Sequence, residues 1–462
     1  MSSSDQTTPR PSRRAILAGT AATALGPALH VRAAAPADSR SPNEKLNIGI
    51  IGAGGRGRSN TGGVKHETIY ALCDTNHAVL EKGKKDYPHA RVYHDWRELL
   101  TDDRIDAVVV STADHHHALA SVAAMRAGKH VYCEKPLAHT VREARIMQAE
   151  YARRRDKLAT QMGTQIHASS NFRRVVELIE AGAIGPVTEA HVWCGRSIRP
   201  VGNPDLPGQP DPKNFSWDTW LGPAAMRPYN AGYWKGGNLN WNRRWEFGNG
   251  VLGDMGSHLI DLPWWALQLK SPRTIQADGP TADPIAAPPW QVATWEHDPR
   301  GDGPALGAPV KVVWYHGPEG MKRRSEVLQP KLGADTDLKK WHIGVAFVGE
   351  KGLLVADYKK SLLSPKGKYV DFKPPAQSIP PSAGHHLEWT RACRSGEPSL
   401  CNFTYSGSLI EHNLLGNVAH RAGRKLRWDA TKGQVIDDAK ANALLTKSYR
   451  KGWSIEGPGG VS

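Results

Sequence analysis

The sequence predicts an α/β fold: a doubly wound parallel sheet over residues 45–164, followed by a second unit over 165–462 that mixes helices with strand–turn–strand segments. Three observations carry this. The apolar run 46–51 leads directly into Gly52, Gly54 and Gly57, a G-x-G-x-x-G turn that opens a helix. Short apolar runs then alternate with helical stretches, as in "TIYALC", "AVVV" and "HVYC". Each run ends in polar residues, where an open parallel sheet binds its ligand.

The elements follow in order. In the glycine turn, the first glycine permits the tight bend, the second lets backbone approach a diphosphate, and the third allows helix to pack on strand. The diphosphate would lie at the positive end of the next helix, with Arg56 placed to add a charge contact or to stand in solvent. Asp74 ends the second strand, 17 residues after Gly57, where a carboxylate accepts hydrogen bonds from an adenosine ribose. It would repel a 2′-phosphate, which favours NAD and leaves NADP as the alternative. The strand 107–110 runs out into "STADHHH", and "HVYC" ends in Glu134-Lys135-Pro136. "QMGTQ", 161–165, is the crossover into the second unit.

In "GDMGSHLID", Asp254 and His258 stand four residues apart and share one face of a helix. Met255, Leu259, Leu262 and Ala266 mark the neighbouring stripe, and Pro263 predicts a kink or restart. Two titratable groups at the edge of a core are a candidate site, although one such pair is also an ordinary surface feature.

Composition is globular, with 39% hydrophobic and 23% charged residues among 462 and a net charge of +15. The basic residues are scattered apart from Arg153-Arg154-Arg155 and Lys322-Arg323-Arg324. Solvated helix faces explain these clusters better than a nucleic-acid groove, so no nucleic acid is expected. Residues 1–37 read as a targeting segment: Ser12-Arg13-Arg14 precedes the mildly apolar stretch 15–29, and small residues follow up to Ala37. This resembles a twin-arginine export signal, with Ile16 where Phe is usual, and 38–44 is a linker. The expectation is export in folded form by that machinery, to the periplasm or the medium, with no stable membrane span. Cys73, Cys133 and Cys194 read as buried small hydrophobes, and pairing of Cys393 with Cys401 stays open.

The motifs "GIIGAGGRG", "AGKHVYCEKPLA", "QMGTQ" and "GVLGDMGSHLID", in that order, resemble the glucose–fructose oxidoreductase/inositol dehydrogenase (Gfo/Idh/MocA) family. Ala113 stands where the family often has Pro. The resemblance implies an α/β plus α+β protein, the second domain built on a large, open, mainly antiparallel sheet with one face serving oligomer contacts. It implies that Lys135 contacts nicotinamide ribose and substrate, with a cis bond to Pro136. It makes Asp254 the substrate-site carboxylate and His258 the catalytic histidine. Thr112, His115, His117, Glu134 and Gln165 join Gly52, Gly54, Arg56, Gly57 and Asp74 around the cofactor. A metal at His115-His116-His117 is not expected, because adjacent side chains diverge.

The second unit adds a helix near 171–181, a strand in "TEAHVWCGR", and a Pro/Gly/Asn-rich loop, 203–250, that carries five of the 16 tryptophans. Tryptophans there suit stacking on sugar rings or pinning the loop to the core. Trp241, Arg243 and Arg244 are the candidate substrate contacts. Segments of strand and turn character follow near 308–317, 342–358 and 361–372, with an irregular excursion at 279–309. "HHLEWTRACRSG" opens a helix, "FTYSGSLIEHNLLGNVAHRAG" reads as an amphipathic one and "ANALLTKSYRKGWSI" as a closing one.

The reading is a dehydrogenase that moves a hydride between NAD and a secondary hydroxyl of a sugar or polyol. His258, near its usual pKa of about 6.5, acts as base. Because free NAD is scarce outside the cytoplasm, the cofactor is expected to be tightly held. The alternatives are an NAD-dependent glycosidase that oxidises, eliminates and re-reduces, and a non-catalytic sugar or nucleotide sensor on the same fold.

Overall fold

The computed structural model describes residues 45–456 apart from 203, 204 and 335; the export-signal expectation lies outside the described residues. The first sheet has six parallel strands: β1 (Asn47–Ile51), β2 (Thr68–Cys73), β3 (Arg91–Tyr93), β4 (Ala107–Val110), β5 (His130–Cys133) and β6 (Thr160–Met162). Their order, β3-β2-β1-β4-β5-β6, reverses between β1 and β4, which makes that crevice the ligand position of a doubly wound sheet. Helices α1 (Gly55–Gly63), α2 (His77–Asp86), α3 (Trp96–Leu100), α4 (Asp114–Arg126) and α5 (Val141–Ala152) form the crossovers.

Both sheet faces are covered, which is why the strands read as unbroken apolar runs. Val108, Val110, Val131 and Cys133 join the core on one face. On the other, Ile48, Ile50, Val109 and Tyr132 pack with Trp389, which comes from far along the chain.

The second unit carries α6 (Ser170–Glu180), β7 (Val187–Cys194), α7 (Trp217–Leu221), α8 (Asn238–Trp241), α9 (Gly250–Leu259), α10 (Asp261–Ala266), β8 (Thr274–Asp278), β9 (Gln291–His297) and β10 (Val310–His316). Then come α11 (Gly317–Leu328), β11 (Ile343–Gly349), β12 (Gly352–Ala356), β13 (Ser361–Ser364), α12 (His385–Ser395), α13 (Phe403–Ala422), β14 (Leu426–Asp429), β15 (Gln434–Val435) and α14 (Ala439–Ala443). The nine strands form one sheet, β13-β12-β11-β7-β10-β9-β8-β14-β15, antiparallel except where β10 runs parallel to β7.

Several expectations need correction. The excursion 279–309 contains β9, whose alternate residues are buried beside β10. Flanking prolines and glycines obscured it. The sheet itself is large, open and mainly antiparallel as expected, and one face is covered over its middle, where Trp193, Val313, Tyr315, Leu353 and Val355 are buried beneath Leu328, Leu332, Leu338 and Trp341 of α11 and the segment after it. Arg324, read as part of a solvated face, is buried over the Trp193 ring, 5.0 Å from its centre. The tail forms only the short α14, and α13 is buried on nearly all sides, including against α5. Residue 164 is also not a clean boundary, because α12 returns to the first sheet and buries Trp389 there.

The break between α9 and α10 has a direct cause. Pro263 cannot donate to the carbonyl of Leu259 and crowds it, and α9 ends at Leu259. The face that carries Asp254 and His258 is thus a short, separately anchored helix. Asn249 Nδ2 ties its start to Asp114 Oδ2 (3.2 Å) and to the Ala138 carbonyl (3.3 Å).

Candidate active site

A cleft of about 810 Å³ runs along the carboxyl ends of β1, β2, β4 and β5 and is roofed by the loop that carries α7 and α8. At one end the glycine turn forms the floor. Gly52 has φ +82°, and a Cβ there would come within 2.7 Å of the Ser111 carbonyl oxygen. A Cβ on Gly57 would sit 1.7 Å from the Gly52 carbonyl, so that position admits no side chain. Gly54, Gly55 and Arg56, at the positive end of α1, line the cleft.

Asp74 accepts the Gly54 N–H (3.0 Å) and the Asn76 N–H (2.9 Å), which aims its carboxylate along the cleft wall. Burial nevertheless pushes its pKa up. Arg56 Nε donates to Glu134 Oε1 (2.8 Å), which also accepts from Asn60 Nδ2 (3.0 Å). Glu134 therefore cross-links α1 to the loop after β5.

The roof closes this end. The Ser216 N–H donates to the Thr75 carbonyl (2.8 Å) and the His77 N–H to the Asn214 carbonyl (3.0 Å), with Asn76 bridged to Phe215. Phe215 stacks on Trp234 with ring centres 4.3 Å apart. These aromatics belong to a small core of their own with Trp217, Tyr229, Tyr233 and Phe247. Most of the loop's tryptophans therefore pin the roof, while Trp220, Trp234 and Trp241 also line the cleft.

At the other end Lys135, on the loop after β5 and joined to Pro136 by a cis bond, points its ammonium at Asp254 Oδ1. Arg196, just beyond β7, donates from Nη1 to Asp254 Oδ2 (2.5 Å). The two cations hold Asp254 below the usual carboxylate range although burial opposes this, and Asp254 and Glu134 raise Lys135 against the same opposition. Buried near them, His258 is driven down to about 3, first by burial and then by the Lys135 charge. The sequence-based value near 6.5 is corrected accordingly.

Thr164 Oγ1 donates to the Ser257 carbonyl (2.9 Å) and lies 3.5 Å from His258 Nδ1. With its proton committed, Thr164 can only accept from that ring, so the hydrogen-bond network assigns the proton to Nδ1 and the lone pair to Nε2. A neutral imidazole with a free lone pair, beside a fixed ammonium, can take a proton from a hydroxyl while the ammonium stabilises the oxygen left behind.

Gly52, Gly54, Arg56, Asp74, Thr112, Glu134, Lys135, Gln165, Trp241, Asp254 and His258 all line this cleft. Gly57 lies beneath its floor. His115 and His117 do not line it. Adjacent residues on a helix diverge by about 100°, so His116 faces the cleft instead. His115 bonds the Trp220 carbonyl (3.0 Å), and His117 sits between the carbonyls of Pro136 (Nδ1, 2.7 Å) and Thr112 (Nε2, 3.1 Å), donating to one of them from behind the cleft. Arg243 and Arg244 are also elsewhere: Arg243 donates to the Pro200 carbonyl (3.1 Å), and Arg244 is buried 5.1 Å from the centre of the Tyr233 ring. Sequence reasoning missed Arg196, whose one signal was a cation at the end of an apolar strand.

The residues present fit a nicotinamide dinucleotide. The glycine cradle excludes side chains, the helix terminus suits a diphosphate, and Gln165 Oε1 is buried without a protein partner. Comparison with known proteins agrees. Residues 46–162 match the oxidoreductase family with the NAD-binding Rossmann fold (Gfo/Idh/MocA), and residues 178–304 match that family's C-terminal α/β domain. Together these span more than half of the chain, which belongs to this family.

Among curated relatives, the glycosyl hydrolase family 109 protein of Solibacter usitatus is 33% identical over 35% of this chain and 40% of its own length. The levoglucosan dehydrogenase of Pseudarthrobacter phenanthrenivorans is 26% identical over 47% and 50%. Inositol 2-dehydrogenase 2 of Saccharopolyspora erythraea is 33% identical over 35% and 48%. The chain thus spans about half the length, or less, of the curated relatives it matches. The fold is shared with the WlbA dehydrogenase of Bordetella pertussis in complex with NADH and UDP-GlcNAcA, at TM-score 0.57, 18% identity and coverage of 84% of this chain and 99% of that one.

Proposed function

We propose that the protein is an NAD-dependent dehydrogenase acting on a secondary hydroxyl of a sugar, polyol or sugar derivative. One observation carries this reading: Lys135, from the loop after β5, meets Asp254 and His258 of the distant helix α9 in the same cleft that the glycine cradle lines. When bound, NAD supplies the acceptor for the hydrogen and electron pair that leave the carbinol carbon. Lys135 donates a hydrogen bond to the hydroxyl oxygen and stabilises its developing charge, an effect worth about 3 kcal/mol at such sites. His258 Nε2 takes the hydroxyl proton, Thr164 holds the ring in the required tautomer, and Asp254 keeps Lys135 charged and aimed. The names of the levoglucosan and inositol dehydrogenases support the substrate class.

The roof of residues 214–216 over residues 75–77 supports a tightly held cofactor. The Ser12-Arg13-Arg14 segment supports export in folded form, to the periplasm or the medium, where a resident cofactor regenerated in place would be needed. Native mass spectrometry of the purified protein tests this first: copurified NAD is expected, and a protein that neither carries nor binds a nicotinamide nucleotide would refute the reading.

The family 109 glycosyl hydrolase relative favours a second reading, in which the hydroxyl is oxidised, the aglycone eliminated and the product re-reduced on one cofactor. Aryl glycosides separate the two: release of the aglycone without net NADH selects the glycosidase.

A further inference from the structure

The catalytic end of the cleft holds more positive charge than hydroxyl oxidation requires. Lys135 and Arg196 share the single carboxylate of Asp254, one on each oxygen. The other titratable groups around it do not restore the balance. His258 is driven down to about 3 and His116, on the near wall, to about 4, chiefly by burial, so both are neutral. Asp114, buried at the start of α4, is raised well above the carboxylate range by burial and accepts from Asn249. Arg56 and Glu134 cancel each other. Lys135 suffices for charge developing on the reacting oxygen, which leaves Arg196 as a standing excess cation with 35% of its side chain accessible in the cleft.

Two partly buried cations on one carboxylate leave a net positive charge that an arriving anion would balance. We propose that the substrate brings it, as a carboxylate received by Arg196, so that the substrate class is a sugar acid and not a neutral sugar or polyol. A guanidinium presents a planar pair of donors that matches the two oxygens of a carboxylate. A phosphate monoester would bring about two negative charges against one excess positive charge. The chain's net charge of +15 favours the approach of an anion. The inference rests on the dehydrogenase reading of the same cleft for its chemistry, but on Arg196 alone for its charge.

The test uses the full-length holoprotein and a panel of hexuronates and hexonates, each paired with its uncharged parent and with the hexose phosphate. The acid is expected to exceed its parent in kcat/KM by roughly 10–100-fold, the range of a charge-assisted hydrogen bond. Arg196→Gln should bring the ratio to within about threefold, Arg196→Lys should retain part of it, and added salt should raise KM for the acid alone on the wild-type protein. A neutral parent oxidised as well as its acid, or a phosphate preferred to the acid, overturns the proposal while leaving the dehydrogenase intact. If nothing on the panel is oxidised, calorimetric titration decides. Binding of the acids that Arg196→Gln abolishes sustains the carboxylate site although the dehydrogenase reading fails, and absence of binding overturns it.

Discussion

Thr164 stands 3.5 Å from His258 Nδ1 with its own proton committed to the Ser257 carbonyl at 2.9 Å, and so sets which nitrogen of the imidazole faces the cleft as a base. Thr164→Val removes that acceptor. Steady-state kinetics should show kcat reduced about tenfold, less than the roughly 100-fold or more lost with a general base itself, with KM within about twofold. Thr164→Ser should retain most of the rate. An unchanged kcat in Thr164→Val would show that the tautomer is set otherwise.

The depressed pKa of His258 has its own signature. Driven down to about 3, the ring keeps its lone pair at any pH where the protein stays folded, although the same burial weakens it as a base. Initial rates of alcohol oxidation should therefore show no acid limb between about pH 8 and 5.5, whereas an unperturbed histidine would give a midpoint near 6.5. Such a midpoint would contradict the depressed pKa of His258.

Stability should be acid-labile for a related reason. Burial holds His116, His297, His316 and His386 at about 4 and His115, His139, His385 and His412 well below the usual value. The unfolded chain protonates them near 6.5 and the folded chain does not, so stability is complete above that pH and is lost as pH falls from 6.5 towards 4. Each can contribute up to about 1.4 kcal/mol per pH unit, so several together rival the whole folding free energy of about 5–15 kcal/mol. Thermal unfolding should show Tm nearly flat above pH 7 and lower by about 10 °C or more at pH 5. A Tm independent of pH across this range would contradict the neutral burial of these rings.

Gly57→Ala places a methyl group against the Gly52 carbonyl, 1.7 Å away before relaxation. The loop must shift, at about 1–3 kcal/mol. The protein should still fold but should no longer copurify with NAD, and calorimetry should show the dinucleotide Kd raised at least about tenfold. Retained wild-type affinity would mean that the diphosphate does not sit on this turn.

The residues that could be read in advance obey local rules. The glycines announce themselves by spacing, Asp74 by its place at a strand end, and Asp254 with His258 by a single helical turn. What was hidden depends on contacts that no local pattern carries. Arg196 follows an apolar strand in an aperiodic stretch, and only the register of β7 with β10 and β11 brings it to Asp254. His116, not its two neighbours, faces the cleft because α4 begins where it does. Arg243 and Arg244 adjoin the cleft-lining Trp241 in sequence, but the roof folds them away. Trp389 shows the same limit for the fold, since nothing near it indicates that α12 returns to the first sheet.

A crystal structure of the protein with NAD and a bound substrate or product tests the central claim most directly. The nicotinamide ring should lie between Lys135 and the α9 face, with the reacting oxygen about 3 Å from both Lys135 Nζ and His258 Nε2 and its carbon turned towards C4 of the ring. A nicotinamide ring bound away from these two residues, or a substrate oxygen out of reach of both, would contradict it.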